Sequence, residues 1–370
     1  MSKWVFSAGF LLVLWLPIVN MVTGFPKQPT LEENRKPTPF PIFKSWGSIS
    51  QYTRGSVNWF DDNYGFRDFL IRLKTQVDYS LFGMSTRVHV GSDGWLFYRS
   101  VMDVEKPRVE IVLKKDADAV VEGTRRLANT LAARGVKLII MVAPMKDVYY
   151  SESLPKTARR LSAPRQVDLL QDRFRSMKEI VFLDSETILK EVSSRRHVFH
   201  KTDFHWNDPA AFEVAKALVN ELGQFEGKAN PVWAHKLEVE EKSFSGGEAK
   251  FMPIFFPPAE IGLFVKSNWI QPPYKYVEKR QPFDWIYELD EADDDRLLAP
   301  IVVLGDSFFD GMMRSGMGLY FKKISQANWN RASLNDVLGN LPEGTRYLLL
   351  EFIEVSTGSY AGLAAERLGK

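Results

Sequence analysis

The Gly-Asp-Ser run at residues 305–307 is the stretch whose residue types most directly suggest chemistry. It follows the apolar residues 301–304, which have the composition of a buried strand. Gly305 permits a tight turn, and a helix that begins after it would present backbone N–H groups without partners. Ser307 could therefore be a nucleophile, with those N–H groups, its own among them, holding the oxyanion of an acyl-transfer intermediate. Alternatively, Asp306 and Ser307 only cap the helix.

A serine nucleophile needs a base, and the segment HKTDFHWND at residues 200–208 supplies the best candidate. Among the five histidines, His205 has an acid two positions before it and a predicted helix start just after it. In an extended backbone, residues two apart point the same way, with Cα atoms about 6.5–7 Å apart. Asp203 can then bond Nδ1 of His205 and leave Nε2 facing Ser307. Ser307, His205 and Asp203 are thus the candidate catalytic residues.

Two other interpretations of this segment stay open. Asp203 and His205 could be a capping acid and a solvated histidine in an ordinary loop. His200, Asp203 and His205 could instead bind zinc as a set of three ligands. Asp208 is better explained as the N-cap of a helix that has Pro209 at its first position.

Composition limits the classes of function. The chain has 370 residues, of which 45% are hydrophobic, so it can build a large core as one large domain or two ordinary ones. Its formal net charge of +2 gives no basis for binding nucleic acid. Cysteine is absent, which excludes disulfides, thiol catalysis and cysteine-ligated metals.

Residues 4–25 form an apolar segment of 22 residues without a charge, which is long enough to cross a bilayer as a helix. The alternative is a cleaved signal peptide, but its apolar region would be shorter, and no clear Ala-x-Ala site comes after it. Charges do not set the orientation, because Lys3 lies on one side and Lys27, Arg35 and Lys36 lie on the other. A lone N-terminal helix generally exports the domain on its C-terminal side, so we expect an anchored, exported body rather than a cytosolic one.

The rest of the sequence predicts a doubly wound α/β domain with a mostly parallel sheet. Runs of nearly continuous apolar residues, such as VKLIIMVAP, PIVVLG and RYLLLEFIE, alternate with helix patterns from about residue 115 onward. Residues 230–298 break the alternation and are interpreted as an insertion with some β structure. We therefore predict an anchor at 1–25, a linker with an amphipathic helix over 53–82 within 26–85, and the α/β domain at 86–370.

Together, TDFHW and the later LGDSF resemble the alginate O-acetyltransferase family, the AlgJ and AlgX proteins of the SGNH hydrolase-like superfamily. The segments ENR at residues 33–35, VGSDGWLFYR, VAPMKDVYYSESLP and LLLEFIE agree with that family in order and spacing. The resemblance implies that Ser307 is the nucleophile, His205 the general base and Asp203 its orienting acid. It covers most of residues 30–355.

The resemblance also implies an activity. The protein would move acetyl groups onto hydroxyls of an exported, alginate-like bacterial polysaccharide through an acetyl-serine, with no metal or cofactor. A membrane-bound O-acyltransferase partner would supply acetyl groups to a periplasmic domain anchored in the inner membrane. The chain's end at Lys370 leaves no room for the carbohydrate-binding domain of the longer AlgX type, and so favours the AlgJ type.

The resemblance has departures and leaves alternatives. Glu354 is followed by Val355, where the family often has arginine, and the superfamily's separate Gly and Asn oxyanion donors cannot be placed. A carbohydrate acetyl esterase would use the same three residues, and a catalytically silent membrane-anchored scaffold would keep only the fold. Most of the ten tryptophans are expected in the core; Trp206, next to the candidate base, is the one candidate for stacking on a sugar.

Overall fold

The computed structural model describes residues 3–27, 31, 36–228, 232–266, 274–277, 280–289 and 297–365. The ENR segment at residues 33–35 lies outside them. The chain divides into two compact units. One comprises Met1–Ser85 with Lys250–Pro257, and the other comprises Thr86–Ala249 with Pro258–Lys370.

The first unit is built mainly from helices α1 (Lys3–Thr23), α2 (Ile49–Asn63) and α3 (Arg67–Phe82). Helix α1 has a mean hydropathy of 2.1 and buries none of its residues, as a membrane anchor or signal sequence would. The amphipathic segment that the sequence predicts over 53–82 is two helices rather than one. The helix breaks because Phe66 takes a left-handed conformation with φ of 61°.

A seven-stranded sheet forms the centre of the second unit, in the order β4-β3-β11-β9-β10-β8-β7. The first five strands in this order pair in parallel, and β8 and β7 are antiparallel additions at one edge. The strands of the chain are β1 (Val88–Val90), β2 (Leu96–Tyr98), β3 (Lys137–Ala143), β4 (Val181–Phe182), β5 (Val239–Phe244), β6 (Glu260–Val265), β7 (Tyr274–Val277), β8 (Trp285–Leu289), β9 (Ile301–Gly305), β10 (Lys323–Asn328) and β11 (Tyr347–Ile353).

Helices pack around this sheet. Strands β3, β9 and β11 bury nearly every residue, which is expected when both faces of a parallel sheet are covered. One group packs α4 against α5 and α11, and another packs α7 against α6 and α9. These later helices are α4 (Lys106–Ala133), α5 (Gln166–Arg175), α6 (Ser185–Ser193), α7 (Asp208–Phe225), α8 (Gly247–Phe251), α9 (Ser307–Arg314), α10 (Leu334–Gly339) and α11 (Thr357–Ala365). The predicted α/β fold is confirmed.

The segment at 230–298 contains the expected β structure. Strands β5 and β6 pair with each other as a separate antiparallel ribbon, and β8 joins the main sheet beside β10. The helix α8 lies in the chain between β5 and β6. Phe244 and Phe264 of the ribbon lie beside Ser307 and His205.

Gly311 lets α9 approach α7 closely. A Cβ atom at residue 311 would lie 2.9 Å from Cβ of Ala211 and 2.9 Å from Nε1 of Trp206. We expect Gly311→Ala to lower the free energy of unfolding by about 1–3 kcal/mol through overpacking, despite the better helix propensity of alanine. Urea unfolding measures the change. Gly358→Ala in α11 is the control, because nothing lies within 4 Å of its added Cβ, and that variant should be as stable as the parent or more so.

Candidate active site

Ser307 lies at the carboxyl end of the central parallel strand β9, where ligands bind in open α/β sheets. It is the first residue of α9, and its side chain is exposed. The helix is capped by Asp306, whose carboxylate accepts the N–H of Phe308 at 2.8 Å and that of Ile353 at 3.0 Å. The capping interpretation therefore holds for Asp306 and leaves the Ser307 hydroxyl available.

The structure brings the three candidate catalytic residues into one hydrogen-bonded chain. Nε2 of His205 lies 2.7 Å from Oγ of Ser307, across a separation of 102 residues in sequence. Nδ1 of the same ring lies 2.7 Å from Oδ1 of Asp203, which also accepts the backbone N–H of His205 at 3.0 Å. This is the geometry that a nucleophile, a base and an orienting acid require.

The electrostatics of Asp203 fix the state of the histidine ring. Burial alone would raise the pKa of this carboxyl, but bonds from His205 and from the N–H of Gly247 hold the pKa well below its ordinary value. Asp203 is therefore ionised at neutral pH and accepts a proton-bearing Nδ1. Nε2 is left as the acceptor for the Ser307 hydroxyl.

A short loop carries the acid and the base. It is closed by an antiparallel bridge between Phe199 and Trp206, and α7 begins directly after it. The N-cap of α7 is Asn207, whose side-chain oxygen accepts the N–H of Ala210 at 3.0 Å. The assignment of Asp208 as the cap is thus wrong.

Asp208 has a different role, because it is buried and faces α9 and β6. Its carboxylate lies 2.8 Å from the Arg314 guanidinium and accepts the N–H of Val265 at 2.9 Å. The charge of Arg314 compensates the buried acid, so the pair ties the far end of α9 to the start of α7.

The structure gives no support to the zinc alternative. The His200 ring packs against the rings of Phe244 and Phe264, with centroid distances of 4.7 and 5.2 Å. Among the residues that the structure describes, no three His, Asp or Glu side chains are grouped so as to hold a metal ion.

A cavity of about 180 Å³ opens over Ser307. Phe244 and Phe264 of the β5–β6 ribbon form an aromatic wall, while Asp310 and Arg314 of α9 add polar groups. Its size suits a small acyl group together with part of an acceptor. Burial raises the pKa of Asp310, whose carboxylate lies 3.4 Å from the Gln326 amide.

Trp206 is not a platform for a sugar ring. Its side chain is only 1% exposed, and Nε1 donates to the carbonyl oxygen of Phe308 at 3.0 Å. The indole therefore packs under α9 and helps to place the turn that carries Ser307. The expectation that it stacks on a carbohydrate is wrong.

Glu351 is a functional neighbour that the sequence reasoning missed. It is fully buried on β11, and its Oε2 accepts the N–H of Asp306 at 2.7 Å. Burial, with the nearby Asp306 carboxylate, raises the pKa of Glu351 well above its usual value. Gly305 makes room for it, since a Cβ there would lie 2.9 Å from Oε2. The signal in the sequence was the position of Glu351 inside the otherwise apolar run LLLEFI, which indicates a buried acid.

The departure at Glu354 has a structural explanation. Its buried carboxylate pairs with the Lys106 ammonium at 2.7 Å and with the Arg165 guanidinium. Lys106 and Arg165 therefore balance the buried charge of Glu354.

Comparison with known proteins identifies the type of domain that part of this chain resembles. Residues 88–254 match the family model of the SGNH hydrolase-like domain, acetyltransferase AlgX. This range includes Asp203 and His205 and ends before Ser307. No curated protein matches the chain significantly. The resemblance to the AlgJ and AlgX group is confirmed over residues 88–254, which make up less than half of the chain.

Solved structures add the fold. The O-acetyltransferase domain of Pseudomonas putida AlgJ is 16% identical, with a TM-score of 0.50 over 76% of this chain and 99% of that one. Bacillus cereus PatB1 is 13% identical, with a TM-score of 0.47 over 66% of this chain and 92% of that one. Pseudomonas aeruginosa AlgX is 15% identical, with a TM-score of 0.40 over 75% and 66%. The similarity to AlgJ supports the shared fold.

Proposed function

Because residues 88–254 match an acetyltransferase domain, we propose that this chain is an O-acetyltransferase acting on hydroxyls of an exported, alginate-like polysaccharide. The observation that carries the proposal is the continuous chain of hydrogen bonds from Asp203 through His205 to Ser307. The exposed Ser307 hydroxyl at the mouth of a small cavity gives this chain access to an acyl donor.

In the first half-reaction, Ser307 becomes acetylated. Nε2 of His205 takes the hydroxyl proton while Oγ forms a bond to the acetyl carbonyl carbon. The resulting oxyanion lies at the start of α9, where the backbone N–H of Ser307 can donate to it. The bond to the donor's leaving group then breaks, and the imidazolium returns the proton to that group. Ionised Asp203 stabilises the imidazolium while it exists.

In the second half-reaction, a sugar hydroxyl replaces the donor. His205 removes its proton, and the sugar oxygen attacks the acetyl carbon. The bond to Oγ breaks, and Ser307 regains its proton from the imidazolium. The products are an acetylated sugar and free enzyme, and this chain's own groups are sufficient for each step.

The proposal also covers the cellular location of the protein and its partner. We propose that α1 anchors the protein in the inner membrane with its catalytic unit in the periplasm, as its length and apolar composition permit. A membrane-bound O-acyltransferase would supply acetyl groups from the cytoplasmic side. An anchor would then keep Ser307 close to that partner.

One assay separates transfer from hydrolysis. The purified protein is incubated with an activated acetyl ester, with and without alginate oligosaccharides, and acetate and acetylated sugar are measured by mass spectrometry. We expect acetylated oligosaccharide and an acetyl adduct on Ser307. Acetate release without any sugar product would instead establish an esterase. A metal chelator should leave the rate of acetyl transfer unchanged. The zinc alternative instead requires that the chelator abolish activity.

A further inference from the structure

Lys146 is a buried lysine beneath the loop that carries Asp203. It comes shortly after β3, and its side chain is only 2% exposed. Its ammonium donates to the carbonyl oxygens of Lys201 at 3.1 Å and of Asp203 at 3.0 Å, and it pairs with the Glu248 carboxylate. Three donors thus meet three acceptors, two of them on the backbone of the loop.

Glu248 completes the pair from the other side. It lies in α8, within the inserted segment, and its side chain is 1% exposed. Its second oxygen accepts the N–H of Tyr98 in β2 at 2.7 Å. Burial raises the pKa of Glu248 to about 7, although the Lys146 ammonium acts to lower it. A buried ion pair adds little net stability. Stability alone therefore does not explain why Lys146 and Glu248 are buried beneath this loop.

The inserted segment fixes the same loop at further points. Thr202 donates its N–H to Glu260 at 2.6 Å, and its carbonyl accepts the N–H of Ala249 at 3.1 Å. A Cβ on Gly246 would lie 2.4 Å from Cβ of Asp203, so the chain passes directly against the acid. The backbone around Asp203 is therefore held on several sides while the His205 ring remains accessible.

We propose that Lys146 and Glu248 are positioning residues, which set the place of the Asp203 carboxylate and, through it, the His205 ring. The inference rests on the proposed function of Ser307. Because Asp203 acts only through its bond to Nδ1, a displacement of about 1 Å in its loop is expected to cost roughly 10²-fold in rate. The contacts of Lys146 with the carbonyls on both sides of Thr202 oppose that displacement.

The test compares two buried lysines. Lys146→Met removes the contacts with the loop. Lys106→Met is the matched control, because Lys106 is equally buried and ion-paired but bonds Asp147 and Glu354 instead. The double variant Lys146→Met/Glu248→Gln keeps an acceptor for the Tyr98 N–H and leaves no unpaired buried charge. If Lys146→Met does not fold, the double variant is tested in its place.

The readouts are turnover of a simple acetyl ester, labelling of Ser307 by a sulfonyl fluoride and the melting temperature. We expect both lysine variants to melt lower. Only the variants at Lys146 should label about 10–100-fold more slowly and lose kcat at unchanged KM. Equal rates in the Lys146 and Lys106 variants, or rates within twofold of the parent, would overturn the inference. A parent protein that neither labels nor turns over would instead refute the proposed function.

Discussion

Replacing Ser307 with alanine is expected to lower the rate of acetyl transfer by about 10³–10⁶-fold. The substitution removes the hydroxyl that we propose as the site of the acetyl intermediate, and it leaves the His205 base without its proton donor. Folding should be unaffected, because the side chain is exposed at the first position of α9 and the Asp306 cap remains. The measurement is the amount of acetylated oligosaccharide formed per enzyme, together with a melting curve.

Ser194→Ala is the matched control, since Ser194 is an exposed serine whose hydroxyl donates to the local carbonyl of Glu191. That variant should retain full activity. If Ser307→Ala retains transfer in the purified system, another group is the nucleophile. If the purified parent shows no transfer and polysaccharide acetylation in cells is unchanged in Ser307→Ala, the protein acts as a scaffold.

The parts of the site that the sequence predicts are those formed by neighbouring residues. Asp203 and His205 lie two positions apart, so a short loop is enough to bring the acid to the base, and Gly305 and Asp306 form the turn and the cap before Ser307. Strand β9 could also be predicted from its own residues, because a short run of apolar residues is typical of a buried strand. The meeting of the two loops follows from the parallel sheet, whose carboxyl ends share one edge.

The supporting groups could not be predicted in the same way. Lys146 and Glu248 are separated by 102 residues, and each alone has the sequence appearance of a surface charge. Strand β10 escaped notice because Ser325 and Gln326 are buried there, so it lacks the apolar pattern of its neighbours. Asn207 was overlooked as the cap because Asp208, one position later, is an equally good capping residue by type.

The role of the inserted segment, residues 230–298, also could not be predicted from the sequence. Its composition marks it as a break in the α/β alternation, which suggests an appendage. The structure instead gives it one wall of the cavity, through Phe244 and Phe264, and anchors for the loop of Asp203, through Glu248 and Glu260. A segment that is irregular by pattern thus completes the site, because contacts across long sequence separations decide its role.

Asp203→Asn is expected to lower the rate by about 10³–10⁴-fold while the rest of the site stays in place. An asparagine amide can donate to Nδ1, which favours the ring tautomer with the proton on Nε2. That tautomer cannot accept the proton of Ser307, and the neutral amide no longer stabilises the imidazolium. The measurement is kcat for an acetyl ester across pH 5–9. Asp118→Asn is the control, because Asp118 lies in α4, is 94% exposed and pairs with Arg173.

The same variant has a second signature in acid unfolding. The folded-state pKa of Asp203 lies below its ordinary value, so the ionised carboxylate stabilises the fold above about pH 4, and this contribution is lost as the pH falls further. Asp203→Asn removes that part of the pH dependence, so its free energy of unfolding should decrease less than that of the parent between pH 5 and pH 3. A variant that keeps activity within tenfold of the parent would show that His205 does not depend on Asp203. An acid-unfolding profile identical to the parent's would show that the carboxylate is not held ionised by its bonds to His205 and Gly247.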